Sequence, residues 1–147
     1  GAKEKTKRVA PPSSIERALD LVIAHPSIAK HANSSTWTHL PQHQALTSLI
    51  DLLHTQPQLS PAALSYQLDN ADHHEWYQHI LQKHLREPAQ MSAEDALTAY
   101  TALETQLKRE ALEQRLKTLA VQISVDDAAK SEYMRLLQER TKLSAPK

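Results

Sequence analysis

The chain has 147 residues, 17 basic and 17 acidic side chains, a formal net charge of +0, and neither Cys nor Phe. That balance leaves no global field to draw it onto nucleic acid or an anionic membrane, and the lack of Cys removes disulfides and thiolate metal centres and fits a cytosolic protein. The length suits one domain, or one domain with an appendage, around a core built from Leu, Ile, Val and Ala.

Gly1 is the only glycine. Gly1-Ala2 reads as a cloning remnant, and residues 1–11 as a disordered basic tail carrying Lys3, Lys5, Lys7 and Arg8 on a fragment of a longer protein. No apolar run approaches the roughly 20 residues that span a bilayer, and no signal-peptide pattern is present. An interior without glycine argues for an all-α fold, because two-residue hairpin turns and phosphate loops both lean on glycine.

Proline punctuates instead. Pro11-Pro12 precede a first helix in which Ser13 and Glu16 have capping-box spacing, with a stripe of Ile15, Ala18, Leu19, Val22 and Ile23, closed by His25-Pro26. A short helical turn follows over 27–31, then a polar loop over 32–40 anchored by Trp37. Pro41 at a first helical position opens a helix over 42–55, with Ala45, Leu46, Leu49, Ile50 and Leu53 inward. Ser60-Pro61 starts a brief helix ending at Leu68. Asp72 caps the next, whose buried side is Trp76, Ile80, Leu81 and Leu85, and Pro88 closes it.

From Met91 to Leu143 there is neither Gly nor Pro. Ser92, with Asp95 three residues on, caps a long helix. Its early stripe is Ala96, Tyr100, Leu103, Leu107 and Ala111, and its later stripe Leu112, Leu116, Leu119 and Ile123. At about 100° per residue the two are rotated by roughly 130°, so the helix must have two different neighbours along its length. The pattern weakens over 121–124. Ser124 then caps a last helix, with Asp126 and Asp127 where the helix dipole favours them and a stripe of Ala129, Tyr133, Leu136, Leu137 and Leu143. The expected architecture is a small helical bundle over 12–107, continued through the shared long helix into an antiparallel two-helix hairpin over 108–147.

Nothing in this arrangement carries catalytic chemistry. His39 and His43 are four apart, the spacing that offers two ring nitrogens to zinc, but Pro41 interrupts the face between them and no His-Glu-x-x-His or Glu-x-x-His pattern accompanies any histidine. His73, His74, His79 and His84 read as solvated surface residues. Glu104, Glu110 and Glu113 alternate with Lys108, Arg109, Arg115 and Lys117 as a solvated outer face. No catalytic residue, cofactor or metal is expected. The basic tail and the pair Lys83 and Arg86 lack interleaved aromatics, so little direct nucleic-acid binding is expected.

The hairpin is the strongest interaction candidate, because two helices alone bury little and are marginal without support. Leu112, Leu116 and Leu119 meet Leu136 or Leu137 in its seam. Val125, Tyr133, Met134 and Leu143 either complete that seam or stand partly exposed at its flank and distal end.

This organisation resembles the C-terminal helicase-binding domain of bacterial DNA primase. The residues that carry the resemblance are Ser13 through Ile23 with His25-Pro26-Ser27-Ile28-Ala29, and the tail, Leu107 to Leu116 and then Ser124 to Leu143, including Leu136-Leu137-Gln138-Glu139. The resemblance implies a non-catalytic domain that recruits primase to the hexameric replicative helicase, gripping the helicase N-terminal domains with the hairpin, and that modulates priming and unwinding. Carried over by position, Gln138, Arg140 and Lys142 supply polar contacts and Tyr133, Leu136, Leu137 and Leu143 apolar ones.

The resemblance also implies a pocket along the first helix for the acidic C-terminal tail of single-stranded DNA-binding protein, matched by Ser14, Ile15, Arg17, Leu19 and Lys83. Pro11-Pro12 stand where the family has basic residues, leaving Arg8 or Arg17 as substitutes. The readings that compete with this one are a helical adaptor unrelated to primase, a weak nucleic-acid module acting through the basic tail, and a metal-dependent helical enzyme.

Overall fold

The computed structural model describes residues 12–87 and 90–144; the basic tail, Pro88 and the last three positions lie outside the described residues. Ser13 takes an extended conformation and its hydroxyl accepts the Glu16 N–H at 3.1 Å, which starts α1 at Ser14–Ala24. Ile15, Ala18, Leu19, Val22 and Ile23 are all buried, as their spacing predicts. Non-helical His25 and Pro26 end the helix and open a 3-10 segment, Pro26–His31.

The stretch expected as a loop contains a second 3-10 turn, Ser34–Thr36. Asn33 Oδ1 causes it by accepting both the Ser35 N–H (3.2 Å) and the Ser35 hydroxyl (2.8 Å). Trp37 is the expected anchor: it is fully buried, and its Nε1–H donates to Thr47 Oγ1 at 3.1 Å.

Helix α2, Gln44–Thr55, begins two residues later than proline placement suggests. Gln42 has φ 62°, a left-handed conformation that no helical residue adopts, so His43 takes the cap position. Its five inward residues are buried as expected. Helix α3, Pro61–Asp69, has Pro61 in its first turn and Ser60 as cap, accepting the Ala63 N–H at 3.1 Å.

Helix α4, His74–Arg86, departs from expectation twice. His73, not Asp72, stands at the cap position, and no side chain caps it. The buried face is also rotated: Tyr77 and Ile80 are buried, Trp76 and Leu81 are half-buried, and Leu85 is 75% exposed. The physical reason is a distant acceptor. Tyr77 Oη donates to the Ala45 carbonyl at 2.6 Å, which draws the ring into the core and turns His84 toward Asp20 of α1.

Helix α5, Ala93–Ala120, starts at Ser92, whose hydroxyl accepts the Asp95 N–H at 3.1 Å. Its 28 residues contribute to two separate cores. Ala96, Tyr100, Leu103, Leu107 and Ala111 join α1–α4 in the larger one. Leu112, Leu116 and Leu119 join Ala129 and Leu136 in the smaller.

The chain turns back over 121–125, where Gln122 N–H donates to the Leu119 carbonyl (2.8 Å) and Val125 N–H to the Gln122 carbonyl (3.2 Å). Those turns use up Ser124, so the cap falls to Asp126, whose Oδ1 accepts from the Ala128 (2.9 Å) and Ala129 (3.3 Å) N–H groups. Helix α6, Asp127–Ser144, then runs antiparallel to α5. The fold is all-α: a helical bundle and a terminal hairpin that share α5.

Candidate functional site

The charged residues near the point where α5 leaves the bundle are not a purely solvated face. Ser14 Oγ donates to Glu110 Oε2 at 2.7 Å, and Gln106 Nε2 reaches the same oxygen at 2.9 Å. On the hairpin side Arg115 forms a two-pronged pair with Glu132 (3.0 and 2.9 Å), Arg140 reaches Glu113 at 3.3 Å, and Arg109 Nη2 donates to the Leu143 carbonyl at 3.2 Å. Glu132 is held below the ordinary carboxylate range, chiefly by its hydrogen bond from Arg115, with Arg135 and His39 adding positive charge nearby. Mixed charge at helical spacing therefore serves here as lateral clasps between elements, which periodicity within one helix does not reveal.

These clasps frame a hairpin with a thin core. Leu136 is 7% exposed and lies in the seam, with Tyr133, Leu137 and Leu143 partly buried against it. Gln138, Arg140 and Lys142 are exposed on α6. The apolar surface left over concentrates at the distal turn, where Val121 is 78% and Val125 85% exposed, with Ile123 half-buried between them. Met134 on α6 is 54% exposed. Val121 escaped the sequence reading, although β-branched apolar residues alternating through a turn are themselves a signal, since a turn has no core for them to face.

A second feature lies at the other end of α5. A groove of about 490 Å³ runs between α1, the end of α4 and the start of α5, with walls that include Leu21, Ala24, Met91, Ala99 and Leu103. Its polar lining is Arg17, Asp20, His25, His84 and Gln90. Lys83 Nζ donates to Asp20 Oδ2 at 2.8 Å, and that bond holds the lysine above its ordinary value. His84 Nε2 lies 2.5 Å from Asp20 Oδ1, and His25 Nε2 is buried without a hydrogen-bond partner.

Of the residues assigned to a tail-binding pocket from sequence, Arg17 lines this groove and Lys83 is bonded to its Asp20. Ser14, Ile15 and Leu19 point inward; Ile15 and Leu19 are core residues, and the Ser14 hydroxyl is engaged with Glu110. Sequence reasoning did not find Asp20, His25, His84 or Met91, because α1, α4 and α5 meet there only in three dimensions.

No group of three or more His, Cys, Asp or Glu among the described residues is arranged to hold a metal ion. No helix among the described residues is long and apolar enough to cross a membrane. Neither the curated proteins nor the solved structures include a match to this chain. A family model described as DNA primase DnaG DnaB-binding matches residues 15–136, from the first turn of α1 to the middle of α6. With most of its length matched, and with a helical bundle passing through α5 into a hairpin, the chain belongs to the DnaB-binding domain family of the DNA primase DnaG.

Proposed function

We propose that this chain recruits a DNA primase to the hexameric replicative helicase at the replication fork, in the cytoplasm, by setting the α5–α6 hairpin against the helicase N-terminal domains. The observation that carries this reading is the exposed apolar tip, Val121 and Val125, on a hairpin whose own core is small. A turn bearing two exposed valines gains from burial against a partner, each by roughly 1.5–3 kcal/mol when fully covered.

On this reading a bundle subdomain over 12–107 and a hairpin subdomain over 108–147 share α5, whose Ala111 still packs in the bundle core. Tyr133, Leu136, Leu137 and Leu143 hold the hairpin in shape and add flank contact, while Gln138, Arg140 and Lys142 provide polar contacts on the outer side of α6. The domain itself is non-catalytic, and its docking modulates priming and unwinding. Mixing the chain with its helicase on a sizing column gives a co-eluting complex, and a chain ending at Leu119 loses that complex while keeping the bundle's helical signal. Full binding by the truncated chain overturns the assignment to the hairpin.

A second interaction belongs to the groove. Apolar walls beside Arg17, Lys83 and two histidines suit the acidic C-terminal tail of single-stranded DNA-binding protein, with the tail's carboxylates at the rim and its apolar end within. Titrating the chain with a peptide of that composition tests this reading by itself.

A further inference from the structure

Lys83, beside the groove, is already in use. Lys83 reaches across from α4 to Asp20 on α1, 63 positions away in sequence, at 2.8 Å. His84, the next residue on α4, has its Nε2 against the other oxygen of the same carboxylate. Asp20 also lines the groove, between Arg17 and Leu21. One carboxylate at the groove thus already occupies the Lys83 ammonium and faces the His84 ring.

We propose that Asp20 is a built-in competitor at the groove, an autoinhibitory contact that an acidic peptide must displace from Lys83 and His84 in order to bind. The inference rests on the reading of the groove as a site for an acidic peptide.

Three observations support it. The contact is closed yet weak: the Asp20 side chain is 29% exposed and that of Lys83 49%, and ion pairs at such exposure are worth little, so an incoming anion can exchange with it. The contact is also incomplete, because it leaves His25 Nε2 buried at the groove without a hydrogen-bond partner. A buried ring nitrogen calls for a polar partner, and a bound peptide offers both backbone N–H groups and carbonyl or carboxylate oxygens. Finally, the charges favour exchange. Arg17 lines the groove and Lys83 stands beside it, against one groove acid, Asp20, while Glu16 and Glu87 act on Lys83 only as more distant charges.

The test is a fluorescence-anisotropy titration of the whole chain with a labelled peptide of three aspartates, two apolar residues and a free C-terminal carboxylate. Asp20→Asn keeps the side chain's shape and removes its charge. It is expected to bind the peptide about two- to fivefold more tightly than the unaltered chain, which is the release of one exposed ion pair. In a Lys83→Gln background the peptide binds more weakly, and adding Asp20→Asn brings less than half of that gain, because the two residues act as a unit. Peptide binding that is equal or weaker in Asp20→Asn overturns the competitor role and leaves the groove site standing. Absence of binding by every variant overturns the groove site and the competitor together. Binding by Asp20→Asn alone supports both.

Discussion

Ala111 and Leu112 are adjacent in α5 and belong to different hydrophobic cores, Ala111 to the bundle and Leu112 to the hairpin. One peptide bond thus carries the helix from a core of some two dozen residues to one of five. The two should respond differently to the same kind of damage. Leu107→Ala removes a fully buried side chain from the large core and is expected to lower global stability by about 2–5 kcal/mol, read from chemical denaturation. Leu119→Ala acts on the small core. In hydrogen exchange it is expected to lower protection across α6 and the last turns of α5 while α1 and α2 keep theirs. Equal loss of protection in both parts argues against two separable cores.

The clasp between Arg115 and Glu132 sets an acid limit on the hairpin. The Glu132 carboxyl is held below its ordinary 4.5 by the Arg115 hydrogen bond. A lowered folded-state value means that the contribution is present above about pH 4.5 and is lost as pH falls through the folded value. Both side chains are about a third exposed, so the contribution is at most about 1 kcal/mol. Glu132→Gln should weaken the hairpin at neutral pH and flatten its acid dependence below pH 4.5, followed by protection of α6 amides from pH 6 to pH 3. An unchanged acid profile argues against this clasp.

The bundle has the opposite dependence at high pH. Burial, with a smaller effect of Asp72, pushes the Tyr77 hydroxyl up to about 12 from 10.0, and burial likewise raises Tyr100. A raised folded-state value means that stability is fully present below pH 10 and is lost as pH climbs through about 12. Denaturant midpoints should therefore hold from neutrality to pH 9 and fall above pH 10. Tyr77→Phe removes the bond to the Ala45 carbonyl and should cost about 1 kcal/mol at neutral pH, with a shallower alkaline fall. A fall as steep as that of the unaltered chain places the alkaline sensitivity elsewhere.

How far the sequence is informative follows from how local each cause is. Ser13, Ser60 and Ser92 each cap a helix through an N–H three residues on, and the stripes of α1, α2 and α5 repeat with the helix period, so these elements are legible. Helix α4 is not, because the choice between Trp76 and Tyr77 as its inward aromatic is made by a carbonyl 32 residues away. Gln42 is illegible for a related reason: its left-handed backbone accompanies a buried Trp37 and Leu40 rather than any turn residue of its own. The groove is the extreme case, since Asp20 and Lys83 meet across 63 positions and neither carries a motif.

The two valines of the tip are the most exposed large apolar side chains among the described residues. Val121→Ser with Val125→Ser changes two surface side chains that touch neither core, so the melting temperature of the chain is expected to stay within about 2 °C. If the tip is the docking element, titration calorimetry of this double variant with the hexameric helicase should give an affinity at least about tenfold weaker, the loss of 1.4 kcal/mol or more of apolar burial. An affinity equal to that of the unaltered chain, with both proteins folded, contradicts the claim that this hairpin tip holds the helicase.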